Sequence, residues 1–475
     1  MIPQQTPLLP EPAPEPPTRR GEGLLVAVAA AAGAAVVLAG LMGFQQWRTD
    51  NTNSEPVAAA SDNASDPVET PTTSTPSQPS TSQPSTGNAD PGSTLAPTLP
   101  PPQSDTESDT GSDTGSGTDP DESASDESLT VDVVPCPAQF DAVICDAADF
   151  VQQARGRPFK RFPNVELLDD VAFDAAVVED LDESKPDFAE QEVLLKSLGL
   201  IPLDLDLFAT FESLIQSGVV GFYDPDTERL VVRGGDFDLY SQAILVHELV
   251  HAFDDQWFDL SRDEFDDDAG YGYLAVIEGN ASRVEDLWRD RLTGAESQQL
   301  QQQEFSALSP DDLNFMLSLP QVILTLQISP YQDGERYVSR LAAQRGEAAV
   351  DEKLLVPPES SEQVLNPERS AEELQVVDVD VPPATGLLVD DGTIGQLLLE
   401  SWLGIPAAAG WGGDRYVIWE AGQQTCFAVD VAADSDNDLL EIAEAARQWA
   451  FGRSSRQVEA IDSDGRAMVR VSGCY

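Results

Sequence analysis

Basic residues are scarce in this chain of 475 residues: 26 lysines and arginines stand against 84 aspartates and glutamates, for a formal net charge of −58. Only four are lysines, and no Lys or Arg occurs between Arg48 and Arg155. A surface this acidic repels phosphate backbones and anionic headgroups, which excludes nucleic acid as a partner. Cysteine is limited to Cys136, Cys145, Cys426 and Cys474, with no C-x-x-C pair among them, so a thiolate-built structural zinc site is excluded. An even count beyond an export-type segment suggests two disulfides instead, Cys136–Cys145 and Cys426–Cys474. Aromatic and branched apolar residues all but vanish from about residue 49 to 130, where Ser, Thr, Pro, Gly, Asp and Glu dominate. Such a stretch buries too little apolar surface to offset its chain entropy, and residues 45–130 are expected to form a disordered, self-repelling linker.

One long apolar run is present. Residues 24–44 carry no charge and are long enough to cross a bilayer as a helix. Arg19 and Arg20 precede the run and acidic sequence follows it. The expected topology is therefore a single-pass protein of the cell membrane, with residues 1–23 cytoplasmic and the remainder outside. The length of the run and the lack of a small-x-small cleavage site favour an anchor over a cleaved signal peptide. Residues 131–475 suffice for one large domain with its own core, and no internal repeat is visible in them.

Within that domain, residues 146–154 and 174–198 have helical character, the second interrupted at Pro186. Helical spacing also marks residues 207–216. Two short β-branched runs, 219–223 and 229–233, flank an Asp-Pro-Asp turn and predict a β-hairpin. Gly234-Gly235 ends it, and Asp236 or Asp238 can cap the helix that follows. Further helices are expected over 272–292, 310–344 (broken at Pro320 and Pro330) and 439–451, with strands entering at 409–419 and 467–471. The expectation is an α+β domain: a hairpin with an edge strand beside a central helix, then a mainly helical C-terminal part.

The two histidines of the chain, His247 and His251, lie four residues apart with Glu248 directly after the first. They sit in an apolar run that reads as a buried helix, Ala243-Ile-Leu-Val-His-Glu-Leu-Val-His-Ala-Phe253. At helical spacing both imidazoles leave one face and can reach a single metal ion, with Glu248 placed to take a proton from a water on that metal. Zinc, Zn2+, is the expected cofactor. It needs a third protein ligand and an open position. No third histidine exists, and Asp254 and Trp257 stand where H-E-x-x-H-x-x-G-x-x-H would require Gly and His, so that ligand is a carboxylate. Glu278 is the first choice because it follows an apolar run. Asp254, Asp255 and the cluster Asp266, Asp267 and Asp268 are alternatives, and Asp254 or Asp255 could instead orient an imidazole. An additional donor for a developing oxyanion is expected from Tyr331, Arg415 or Tyr416. The run Asp434-Ser-Asp-Asn-Asp438 lacks the Gly and Glu of a calcium loop, having Leu439 and Ala445, and reads as a helix cap.

His247-Glu-Leu-Val-His-Ala-Phe-Asp-Asp-Gln256 together with Ile277-Glu-Gly-Asn-Ala281 resembles the gluzincin peptidases, the group that includes thermolysin, in which a downstream helix-borne Glu is the third zinc ligand. Gly221-Phe-Tyr-Asp-Pro225, Pro357-Pro-Glu-Ser-Ser-Glu-Gln-Val-Leu365 and Gly410-Trp-Gly-Gly-Asp-Arg-Tyr416 are similar to blocks of a set of bacterial secreted zinc metallopeptidases. The resemblance covers residues 208–451 and implies a zincin-like domain that hydrolyses peptide bonds in a peptide or protein substrate. Two positions depart from it: Asn280 stands where such sequences often have Asp, and Asn366 where they often have His. Two other readings of the same residues are a zinc-binding surface scaffold without turnover and a zinc amidase acting on cell-wall peptides.

Overall fold

The computed structural model describes residues 133–475, apart from residues 184, 216–218, 236, 263–264, 266, 308 and 464. Three strands form the first sheet: β1 (Asn164–Leu168), β2 (Gly221–Asp224) and β3 (Arg229–Arg233), in the order β1-β3-β2. β3 pairs parallel with β1 and antiparallel with β2, whose Phe222 lies opposite Val231. The hairpin turn is set by Asp224, whose carboxylate accepts the backbone N–H groups of Asp226 (2.9 Å) and Thr227 (3.2 Å). Alternation divides the strands between two cores. Phe222 and Val231 face a cluster containing Phe173, Phe211 and Ile323. Leu230, Val232 and Tyr223 face the histidine helix through Leu245, Leu249 and Phe253.

The histidine helix, Leu239–Phe258, opens at Asp238, whose side chain accepts from Ser241 N in an N-cap arrangement. It is buried on every side from Ala243 to Asp254, as its all-round apolar sequence requires. The helix Asp267–Arg289 packs against it, and against the long helix Gln321–Arg345 on the other side. That second contact is very close. A Cβ at Gly279 would fall inside van der Waals distance of Gly334, and one at Gly334 would strike Ala275 O. The two backbones therefore meet at a glycine pair.

The prolines act differently from one another. Pro186 falls at the second position of Lys185–Leu198, after the helix Asp170–Glu183, and Pro320 caps Gln321–Arg345. Both fall where a missing N–H costs nothing. Pro330 was expected to break its helix and lies inside it. Ile328 and Tyr331 on either side are buried, and the Ser329 hydroxyl donates to Asp333 at 2.6 Å, so packing holds the turn that the ring disrupts.

The expected mainly helical C-terminal part is corrected. Residues 387–474 carry a five-stranded antiparallel sheet, β4 (Leu387–Gly392), β5 (Trp411–Ala421), β6 (Gln424–Ala433), β7 (Arg456–Ser463) and β8 (Arg466–Cys474), in the order β4-β5-β6-β8-β7. Helices Gly395–Leu403 and Asp436–Ala450 cover one face through Trp402 and Ile442, while Ala428 and Ala432 are buried on the other. Because β5 and β6 are buried on both faces, their sequences lack the apolar–polar alternation that marks a half-exposed strand. The expected membrane helix is likewise not part of the observed fold. No helix among the described residues is long and apolar enough to cross a membrane, and residues 24–44 and the linker 45–130 lie outside the described residues.

Both expected disulfides are present. Cys426 and Cys474 are direct neighbours across β6 and β8, 4.0 Å apart at Cα, and Cys136 joins Cys145 near the start of the domain.

Candidate metal centre

One turn of the histidine helix separates His247 from His251, and their ring centroids are 4.8 Å apart. The glycine contact between the next two helices brings Glu278 and Tyr331 to the same place. Glu278 Oε2 lies 3.2 Å from His247 Nε2 and 3.4 Å from His251 Nε2, and the three residues offer ligand atoms all within 4.8 Å of one another. All three are buried, Glu278 completely. His251 Nδ1 and Nε2, Glu278 Oε1 and Glu248 Oε2 have no hydrogen-bond partner. Unpartnered lone pairs in a dry core carry a desolvation cost that a cation held between them would remove. Two imidazoles and a carboxylate are also a donor set suited to a divalent transition metal. These residues form a group that could hold a metal ion.

Charge at the centre follows from its burial. Burial raises the pKa of Glu248 to about 7, although the His251 and His247 charges oppose this. Burial would also raise Glu278, but the His251 charge and the hydrogen bond and charge of His247 outweigh it and hold the carboxyl at about 2. For His247 burial favours the neutral ring, yet its bonds to Glu278 and Glu285 carry it up to about 10. The metal-free centre thus stores a proton on His247 between two carboxylates.

Glu285 is a member of this centre that sequence reasoning missed. Its Oε2 lies 3.1 Å from His247 Nδ1, and its other oxygen accepts from Arg289 Nε (2.8 Å) and Nη2 (2.6 Å). Arg289 is held in turn by Glu304 at 2.6 Å. A carboxylate on Nδ1 fixes the tautomer that presents Nε2 as a ligand. The available signal was its spacing: Glu285 stands two helical turns after Glu278, on the same face.

The other candidate ligands have partners of their own. Asp254 accepts from Arg155 Nε (3.1 Å) and Asn280 Nδ2 (2.5 Å), Asp255 from Tyr223 OH (2.6 Å) and Leu260 N (2.8 Å). Asp267 accepts from Thr393 N and Asp268 from Ser361 N, both at 3.0 Å; Asp266 lies outside the described residues. Asn280 works as an amide here. Its oxygen accepts from Arg283 at 2.9 Å while its nitrogen donates to Asp254, a pairing an aspartate would replace with two facing carboxylates.

Among the expected oxyanion donors, Tyr331 is at the centre. Its ring stacks on His247 with centroids 5.9 Å apart, and burial with the charges of Glu278 and Glu248 pushes its hydroxyl well above the usual range, so it stays a donor. The structure places Arg415 and Tyr416 elsewhere, on β5, where Arg415 pairs with Asp391 (3.0 Å) and Tyr416 donates to Asp390 (2.6 Å). Asn366 donates to Glu362 O (2.9 Å) and Gln396 Oε1 (3.0 Å), closing the short helix Ser361–Leu365. The blocks around Ser361 and Asp414 form a joint. Asp414 accepts from Ile394 N and Gly395 N, and Ser361 Oγ from Leu397 N, tying the C-terminal sheet to the start of the Glu278 helix.

The edge strand β2 lies against Glu248: a Cβ on Gly221 would sit 3.7 Å from Glu248 Cγ, and a backbone hydrogen bond reaches Glu248 from Tyr223.

Against known proteins, residues 383–473 match the model of a domain of unknown function, DUF8575, a span that contains β4 to β7 and nearly all of β8 and none of the metal centre. No curated protein and no solved structure matches the chain.

Proposed function

We propose that this chain is a zinc-dependent peptidase, with His247, His251 and Glu278 as the metal ligands and Glu248 as general base. The observation that carries the reading is the set of buried, unpartnered imidazole and carboxylate atoms converging beside an edge strand. Zinc bound there would act as a Lewis acid on the scissile carbonyl and make water a nucleophile at neutral pH. Glu248 Oε2 takes the proton of the attacking water and delivers it to the leaving amine. Glu285 keeps the proton of His247 on Nδ1 throughout, and Tyr331 donates to the oxygen that becomes negative as the carbonyl carbon turns tetrahedral. β2 is the edge strand beside Glu248; its Tyr223 N–H reaches that carboxylate, and an extended peptide laid along the strand would pair with the outward backbone groups that remain. Two disulfides fit a working environment that is oxidising, outside the cytoplasm.

The test is metal analysis of the purified chain together with cleavage of a proteome-derived peptide library. Glu248→Gln should keep the zinc and lose turnover by on the order of 10²–10⁴-fold. Near-normal turnover in that variant ends the mechanism, and a zinc-loaded protein that cuts no peptide ends the peptidase assignment.

A further inference from the structure

Five side chains close a ring of hydrogen bonds within one turn of the metal ligands. Arg155 Nε donates to Asp254 Oδ1 at 3.1 Å, Asn280 Nδ2 to Asp254 Oδ2 at 2.5 Å, and Arg283 Nη2 to Asn280 Oδ1 at 2.9 Å. Glu347 completes the ring, accepting from Arg283 Nη1 and Nη2 (2.9 and 2.8 Å) and from Arg155 Nη1 (2.6 Å). Four helices meet in it. Asp254 stands three residues after His251 on the histidine helix, and Asn280 two after Glu278 on Asp267–Arg289. Arg155 caps Ala142–Ala154, and Glu347 opens Glu347–Leu355. Asp254 and Asn280 are fully buried, Arg155 and Arg283 nearly so. Charge balances around the ring, Arg155 and Arg283 against Asp254 and Glu347, because the fifth member is an amide. Asp351, a further acid on Arg155, has Arg157 as a second partner.

A core that needed only stability would be served as well by apolar side chains, because removing ions from water costs about what their pairing returns. What the hydrogen bonds add is a fixed separation, since donor and acceptor hold a narrow range of distance and angle while apolar surfaces can slide. We propose that this ring is a positioning device for the metal: it sets the separation of the helices that carry His251 and Glu278, and so fits the centre to an ion with zinc's short bonds. The inference rests on the metal ligands of the reading above and is independent of the peptide substrate. On its other side the Glu278 helix is held at the adjacent residue, where Gly279 meets Gly334. Glu278 therefore stands between two fixed contacts, with Oε2 at 3.2 Å from His247 Nε2 and 3.4 Å from His251 Nε2. Zinc takes nitrogen and oxygen ligands at ~2.0–2.2 Å. Cadmium, of the same charge, accepts such ligands at longer bonds and would gain from helices set further apart. Asn280 is the sensitive corner: a carboxylate in its place would face that of Asp254 and drive the two helices apart. Exchanging the pair, Asn280→Asp together with Asp254→Asn, closes the ring again. The amide at position 254 then accepts from Arg155 and donates to the carboxylate at position 280, which accepts from Arg283.

The test titrates the full chain with Zn2+ and with Cd2+ against a competing chelator at one pH. Asn280→Asp should weaken Zn2+ binding by about tenfold or more and Cd2+ binding far less, moving the preference between the ions by about tenfold towards cadmium. The exchanged pair should return both affinities to those of the parent. Arg283→Met opens the ring at a corner where Glu347 keeps Arg155 as a partner, and the same shift in preference is expected from it should Asn280→Asp fold poorly. An unchanged ion preference in the single variants, an equal loss for the two ions, or a loss that the exchange does not restore overturns the positioning role. A parent that binds no zinc overturns the metal ligands and the ring together. A parent that binds zinc and cuts no peptide overturns the peptidase reading alone, the ring being decided by the ion preference.

Discussion

Zinc uptake by this centre should release a proton, and its affinity should climb with pH. In the metal-free protein His247 is held protonated by Glu278 and Glu285, with its pKa carried to about 10. The metal needs the Nε2 lone pair, so it competes with that proton. At pH 7 the ring lies three units below its pKa, a competition of about a thousandfold, or about 4 kcal/mol. The dependence is tenfold in apparent dissociation constant for each pH unit. Isothermal titration with a competing chelator, repeated in two buffers of different ionisation enthalpy, measures both the affinity and the protons released. Between pH 6 and pH 8 the affinity should rise at least about a hundredfold, with one proton released from His247 and, towards pH 6, a further fraction from Glu248, whose carboxyl titrates at about 7. The same linkage has an opposite sign for the metal-free fold. A histidine whose pKa is raised on folding stabilises most below its unfolded pKa of about 6.5, and that stability is lost as pH rises through about 10. Affinity that stays flat from pH 6 to pH 8, or zinc binding with no proton released, would refute the reasoning.

Glu285→Gln should weaken zinc binding by about 10–100-fold while leaving the three ligands in place, as measured by chelator competition; an unchanged affinity would remove Glu285 from the centre. Replacing Cys426 and Cys474 by Ser opens a loop closed over a separation of 48 residues and should cost about 4 kcal/mol in urea unfolding under oxidising conditions, with a loss below about 1 kcal/mol counting against it. Gly334→Ala forces a methyl against Ala275 O, so the helices carrying Glu278 and Tyr331 must separate; a loss of about 1–3 kcal/mol is expected with weakened zinc binding, and a variant as stable as the parent would show that the contact relaxes freely.

The sequence alone determined what rests on local chemistry. The spacing of His247, Glu248 and His251 is a property of any helix, and the all-apolar run around them demands burial, so a paired-imidazole face needed no fold to be seen. The hairpin at Asp224 was equally local, since Asp-Pro-Asp between β-branched runs is turn chemistry, and Asp238 caps the helix as its side chain and position suggest. Glu278 lies 27 residues beyond His251 by the numbering, and only tertiary packing could distinguish it from Asp254, Asp255 and Asp268. What decided among them was where each carboxylate found a partner. Arg155 and Asn280 engage Asp254, Tyr223 engages Asp255, and the joint at Ser361 engages Asp268, while Glu278 is carried to the histidines by a glycine contact between two helices. The C-terminal sheet was hidden for a related reason. Strands buried on both faces show no period of two, so β5 and β6 acquire their identity from long-range pairing that no single segment encodes. Pro330 makes the same point in reverse: the local rule ends a helix there, and the packing of Ile328 and Tyr331 overrides it.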